Sequence, residues 1–294
     1  MTHSHTTEID WEALGSALER EAELHLPALE AATDWLHGLL GTVEADEGGT
    51  VTRILDIGSG PGVISCLLAR RFTGAEVVAV DQAPGLLRRT HDRAVAQGVG
   101  DRVTAERADL PDDLPGLGSA ELIWTSHAVH HLGDQQAALD ALAARLRPGG
   151  LLAVAERGLT PRFLPRDIGT GRPGLQARLD AAMEESFSEM RADLPGSVST
   201  VEDWPAMLSG AGLIPTGSRT FLVDHPAPLG AAGREHLHHS LTRLRGMLAT
   251  HLAEEDLTTL DALVDPDAPT GILWRPDAFY LTATTVHTAR ACAR

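Results

Sequence analysis

The sequence predicts an α/β protein built on a doubly wound, mostly parallel sheet, with N-terminal helices and helical cap insertions. Three observations predict it. The apolar run Ile54-Leu55-Asp56-Ile57 breaks abruptly into the glycine-rich turn Gly58-Ser59-Gly60-Pro61-Gly62. Buried-type strands then alternate with helical patterns over about 100 residues, the signature of parallel βαβ units. A breaker, Arg147-Pro148-Gly149-Gly150, precedes one more apolar run at 151–156.

Taken in order, residues 8–40 read as two helices, with Trp11, Leu14, Leu18 and Leu24 on one face, a break at Pro27, and Leu29, Trp35, Leu36, Leu39 and Leu40 resuming the pattern. They form either a layer over the sheet edge or a lid over a ligand. Residues 44–50 are a polar link. After the glycine turn, residues 63–70 contain no Gly or Pro and read as a helix packed on the sheet. The helix N-terminus and free backbone N–H groups then face a nucleotide-type ligand. The dinucleotide fingerprint G-x-G-x-x-G needs glycine at 63, where this chain has Val63, which counts against NAD or FAD. The strand at 76–81 ends in Asp81, 19 residues after Gly62, where such units place a carboxylate for two ribose hydroxyls. An Asp there can otherwise cap the next helix, 83–97. Strands follow at 103–108 and 121–126, the second opening into His127-Ala128-Val129-His130-His131. Asp134 caps a helix carrying Leu139, Leu142 and Leu146.

These motifs resemble those of the class I S-adenosylmethionine-dependent methyltransferases over residues 51–156. The resemblance implies that the loop carrying Asp56, Gly58, Ser59, Gly60 and Gly62 wraps the methionine part of the cofactor. It implies that Asp81, with Gln82, takes the ribose, that Asp109 and Leu110 contact the adenine, and that Ser126 and His127 border the methyl group. It also implies S-adenosyl-L-methionine as cofactor, S-adenosyl-L-homocysteine as product, and a doubly wound, mostly parallel seven-stranded Rossmann-like sheet with a final antiparallel strand pair, which 219–223 and 278–286 can supply. The expected organisation is a helical lid at 1–50, the cofactor-binding core at 51–156, a helical cap insertion at 157–217, and the last strand pair at 218–294 with a second insertion at 224–277. Helices are expected near 174–191, 204–208, 232–250 and 256–263, capping the carboxyl ends of the strands.

The resemblance implies methyl transfer; the expected acceptor is an O, N or C nucleophile of a small molecule of the secondary-metabolite kind, with an anionic group suggested by the arginines at 157–178. Another reaction of the same cofactor, such as intramolecular cyclisation, and a non-catalytic cofactor-binding regulator share every one of these motifs. His127, His130 and His131 are the candidate bases, since they follow the strand beside the cofactor and titrate near neutrality. Five arginines against one acid between 157 and 178 form either a solvated loop or an anion clamp, in which Arg162 and Arg166 are the candidate substrate ligands.

Composition bounds the rest. A chain of 294 residues with 43% hydrophobic residues builds a sizeable core, and a net charge of −17 repels phosphate backbones, so neither nucleic acid nor an anionic membrane is an expected partner. No apolar run reaches membrane-span length and the N-terminus lacks signal-peptide order, which predicts a cytoplasmic location. Two cysteines support neither a disulfide framework nor a cysteine metal site. His236 and His239, at i and i+3, read as an exposed helix face rather than metal ligands. The five tryptophans are scattered and read as core. The oligomeric state, a homo-oligomer included, is open.

Overall fold

The computed structural model describes residues 11–41 and 51–293. The expected link at 44–50 and the start of the first expected helix lie outside them. The chain divides into two compact units. One comprises Met1–Arg157, Asp193–Phe221 and Thr284–Arg294, the other Gly158–Ala192 and Leu222–Ala283.

In the first unit, α1 (Trp11–Leu24) and α2 (Leu26–Gly41) precede β1 (Arg53–Ile57). Pro27 sits in the first turn of α2, where its missing N–H costs no helical bond. Then come α3 (Val63–Arg71), β2 (Glu76–Asp81), α4 (Pro84–Ala96), β3 (Val103–Arg107), β4 (Ala120–Ser126), α5 (Gln135–Ala143), β5 (Leu146–Arg162) and, later in the chain, α7 (Trp204–Gly210). Asp134 caps α5 as expected, accepting the Ala137 N–H at 2.9 Å.

The sheet has seven strands in the order β3-β2-β1-β4-β5-β7-β6, where β6 is Ile214–His225 and β7 is Tyr280–Arg290. The pairs β1–β2, β1–β4, β2–β3 and β4–β5 are parallel. Side-chain bonds from Thr216 to Thr288 and from Thr220 to Thr285 run in opposite chain senses, so β6 and β7 are antiparallel. Because the chain moves outward from β1 to β3 and then returns to β4 on the other flank, a crevice opens beyond the carboxyl ends of β1 and β4. Open α/β sheets bind ligands at such a switch point.

Beneath it lies a dry core. Leu55, Ile57, Val78, Val80, Ile123, Leu152 and Val154 project from the strands against Leu139, Leu142, Trp204 and Leu208. At about 25 cal/mol per Å² of apolar surface, burial of this cluster fixes the strand ends that frame the crevice.

One strand departs from expectation. The breaker at Arg147–Gly150 does not stand outside β5, because Leu146 already pairs with Ala120 and a register shift before Leu122–Leu151 absorbs the glycines, with Gly149 at φ 74°. At its other end β5 runs on to Arg162 rather than stopping at Glu156.

The second unit contains α6 (Leu175–Asp193, whose last residue falls in the first unit), α8 (Ala231–Met247) and α9 (Glu254–Val264), all close to where apolar periodicity puts them. Here part of the arginine run is ion-paired, while Arg166 is exposed. Arg178 grips the buried Asp256 with two bonds of 2.7 Å, and Arg172 lies 3.5 Å from the same carboxylate. His239 is on an exposed helix face as expected. His236 is buried instead, edge-on to Tyr280 at 5.4 Å, because α8 turns that side inward. Trp274 is not core either. It is 61% exposed, and its indole N–H donates to the Pro266 carbonyl.

Candidate active site

Strand β1 ends in the glycine turn, and the turn is locked from three sides. The Gly58 and Ser59 N–H groups both donate to the Val80 carbonyl at 2.9 Å, binding the turn to β2. Gly58, Gly60 and Gly62 have φ of 71°, 55° and 75°, the left-handed region that favours glycine. A Cβ on Gly58 would stand 2.7 Å from the Ala128 Cβ, and one on Gly62 would strike Thr90, so the backbone lies against its neighbours. Asp81, at the end of β2, accepts the Gly60 N–H through Oδ2 and the Ala83 N–H through Oδ1, each at 2.9 Å. Burial raises the carboxyl above its ordinary value, while the N–H groups of Ala83, Gly60 and Gln82 oppose that rise.

Asp56 lies beneath the turn, fully buried and bonded to the Ser65 hydroxyl, and burial pushes its pKa up to about 7. It is not among the cavity-lining residues. It underpins the turn rather than facing a ligand.

Above the turn is a cavity of about 480 Å³. Gly58 to Pro61, Asp81, Gln82, Ala108, Leu110 and Ser126 line it from the strand ends and the segments that follow them; Trp11, Leu18, Glu21, Ala22, His25 and Leu29 line it from the N-terminal helical segment, and His127, His131 and Leu132 from the loop after β4. Of the residues that resemblance assigns to the cofactor, the structure gathers Gly58, Ser59, Gly60, Asp81, Gln82, Leu110 and Ser126 on this wall. Asp109 has an exposed side chain, and its backbone N–H donates to Asp113. The wall there is made by its neighbours Ala108 and Leu110.

Helix α1 serves two sides. Trp11, Leu18 and Ala22 recur at helical spacing and face the cavity, and His25 joins them from the turn after the helix. The other face is bound to α4: Glu12 accepts the Gly85 N–H at 2.8 Å, and Glu19 pairs with Arg89 at 2.7 Å and Arg93 at 3.6 Å. Trp11 is therefore cavity wall as well as packing, against expectation.

The three candidate histidines separate. His127 has φ 51°, in the left-handed region unusual for a side-chain-bearing residue, and its N–H donates to the Ala155 carbonyl at 3.0 Å. Its side chain keeps 43% of its surface accessible, but that surface faces the cavity, and burial lowers its pKa against the opposing pull of Glu156. His130 turns inward, with Nδ1 2.8 Å from Glu156 Oε2. His131 returns to the cavity wall, edge-on to Trp11 at 5.2 Å.

Glu156 is the functional-type residue that sequence reasoning missed. It is 6% exposed, its Oε2 is 3.8 Å from His127 Nδ1, and burial pushes its pKa up to about 7. The available signal was an acid ending a buried apolar strand. The ligating atoms of His127, His130 and Glu156 lie within 4.8 Å of one another, yet His130 Nδ1 is already engaged by the carboxylate. Arg162 and Arg166 belong to the second unit, where Arg162 is ion-paired with Asp180 and the Arg166 carbonyl accepts the Gly174 N–H.

The site suits an adenosyl sulfonium cofactor. The glycine cradle leaves no room for side chains on Gly58 or Gly62, the Asp81 carboxylate keeps acceptor lone pairs at the cavity, and the buried Ser59 hydroxyl has no protein partner.

A family model described as "Methyltransferase domain" matches residues 54–150. Methyltransferase GfsG of Streptomyces halstedii is 29% identical over 55% of this chain and 52% of its own length. A trans-aconitate 2-methyltransferase of Methylobacterium nodulans is 31% identical over 58% of this chain and 69% of its own. One of the same name from Paracidovorax citrulli is 28% identical over 67% and 78%. The chain spans only 24% and 37% of two further relatives. No helix among the described residues is long and apolar enough to cross a membrane. The parallel sheet, the glycine cradle with its paired Asp81, and these relatives agree: the chain belongs to the class I S-adenosylmethionine-dependent methyltransferases, with S-adenosylmethionine as its cofactor.

Proposed function

We propose that this protein transfers a methyl group to a nucleophile of a small molecule held between α1 and the loop after β4. The observation that carries the reading is one cavity lined both by the cradle, with His127 beside it, and by a largely apolar wall from the N-terminal helices. S-adenosylmethionine supplies a methyl group already activated on its sulfonium. The remaining work falls to this chain's residues. The Gly58–Gly62 turn and Ser59 hold the amino-acid end, Asp81 with Gln82 accepts from the ribose hydroxyls, and Ala108 and Leu110 flank the adenine. Trp11, Leu18, Leu29 and Leu132 exclude water and orient the acceptor, and orientation of that kind is worth about 7–11 kcal/mol of barrier. His127, poised neutral at the cavity, accepts a proton where the acceptor must lose one; such a base contributes about 10²–10⁴-fold.

The test is incubation of the purified protein with methyl-labelled S-adenosylmethionine and a panel of small acceptors, followed by mass spectrometry. The reading expects labelled methyl on an acceptor together with S-adenosylhomocysteine. Release of methylthioadenosine, or tight cofactor binding without turnover on any acceptor, would replace it with one of the other uses of the cofactor.

A further inference from the structure

The cavity wall formed by the N-terminal helices and the loop after β4 carries an acid, Glu21, and the histidines His25, His127 and His131, but no lysine or arginine among the described residues. Trp11, Leu18, Ala22 and Leu132 give it an apolar surface. Toward the cradle the other charged lining residue is also an acid, Asp81. A carboxylate or phosphate placed there would meet the Glu21 carboxylate and no permanently charged guanidinium or ammonium partner, and a buried charge without such a partner costs several kcal/mol. An uncharged molecule incurs neither cost.

His127 is held in a left-handed conformation, φ 51°. A left-handed backbone costs a non-glycine residue about 1–2 kcal/mol, and such strain persists where the surroundings impose it. Here the N–H bond to Ala155 and the contact of Ala128 with the Gly58 turn impose it, and they hold the imidazole at the cavity beside the cradle. Behind it sit the buried Glu156 carboxylate, 3.8 Å from Nδ1, and His130, itself bonded to Glu156. Other charged groups act on His127 from the packed elements. Glu21 of α1 favours its protonated form, and Arg157 of β5 and His130 of its own loop oppose it. A carboxylate acceptor is ionised at neutral pH and needs no such apparatus, whereas a hydroxyl does.

Resting on the methyl-transfer reading, we propose that the acceptor is an uncharged, largely apolar hydroxyl compound, that His127 takes its proton, and that Glu156 is the positioning residue that orients His127 and stabilises its imidazolium. The acceptor O–H bond breaks and its proton passes to His127 Nε2, on the ring edge away from Glu156. The oxygen's electron pair forms the bond to the methyl carbon, and the carbon–sulfur bond breaks with its pair left on sulfur, which loses its positive charge. The products are a methyl ether, S-adenosylhomocysteine and one proton, released to solvent from His127.

The test compares a neutral alkyl hydroxybenzoate ester with the corresponding hydroxybenzoate acid. In titration calorimetry on protein saturated with S-adenosylhomocysteine, the ester should bind at least about tenfold more tightly. Equal or tighter binding of the acid overturns the proposal, whereas failure of S-adenosylhomocysteine itself to bind would instead sink the methyl-transfer reading. With S-adenosylmethionine, the expected product is the phenolic methyl ether. A methyl ester formed on the free acid would preserve methyl transfer and refute the hydroxyl acceptor. Glu156→Gln should lower kcat about 10–100-fold with little change in KM. The acidic limb of the parent pH–rate profile should carry the titration of Glu156 at about 7; Glu156→Gln should remove it and leave the lower titration of His127, moving the limb to lower pH, and a limb that stays in place overturns the positioning role. A chelator should leave the rate unchanged; loss of activity restored by a divalent cation would reassign His127, His130 and Glu156 to a metal.

Discussion

The Asp81 carboxylate accepts the backbone N–H of Gly60 at 2.9 Å, so the acid that ends β2 also fixes the middle of the turn that ends β1. One residue thus shapes the cradle from both sides, since its other oxygen holds the Ala83 N–H at the start of α4.

Asp81→Asn keeps the shape but replaces one acceptor oxygen by an NH₂ that faces an N–H. Hydrogen bonds to a charged group are worth about 1.5–3 kcal/mol. S-adenosylhomocysteine affinity, measured by calorimetry, should therefore fall at least about tenfold. Unchanged affinity would remove Asp81 from the cofactor site.

Two glycines in the same turn should respond unequally to alanine. At Gly58 the new methyl meets the Ala128 Cβ at 2.7 Å with φ at 71°, whereas at Gly60 nothing lies within 4 Å and only the backbone penalty applies. Gly60→Ala should cost about 1–2 kcal/mol in urea denaturation and Gly58→Ala clearly more.

Asp56 gives a pH dependence of definite sign. Its folded-state pKa, pushed up to about 7 from 3.8, means that the native state binds more protons than the unfolded chain between those values. Its contribution is therefore fully present below pH 3.8 and is lost as pH rises through about 7. Asp56→Asn should flatten the fall in Tm between pH 5 and 8 relative to the parent, and an unchanged slope would mean that the acid is not buried as a neutral group.

Arg89 holds α1 through Glu19 at 2.7 Å and Ser16 at 3.0 Å, with both ionic partners partly exposed. Arg89→Ala should lower global stability by less than about 1 kcal/mol, because solvent screens such pairs. It should nevertheless raise hydrogen exchange across 11–24 ahead of the sheet. Uniform exchange changes would show that α1 and the core open together.

Much of this was legible in the sequence because it rests on local chemistry. Ile54–Gly62 announces strand and turn by composition, and Asp81 and Asp134 announce their roles by position. What was not legible depends on pairing between distant segments. Glu156 meets His130 because β4 and β5 pair with Ser126 opposite Ala155, a register that no local pattern specifies. The run at 157–178 read as a candidate anion clamp because Asp180 and Asp256, which pair with Arg162, Arg172 and Arg178, lie beyond it in the sequence.

The two-sidedness of α1 has a consequence for how this scaffold diversifies. Its cavity positions, Trp11, Leu18 and Ala22, and its anchoring positions, Glu12 and Glu19, alternate along one short helix, yet none belongs to the sheet or the glycine turn. Selection can therefore rewrite the first set while conserving the second, retuning what the enzyme accepts without retesting how it folds.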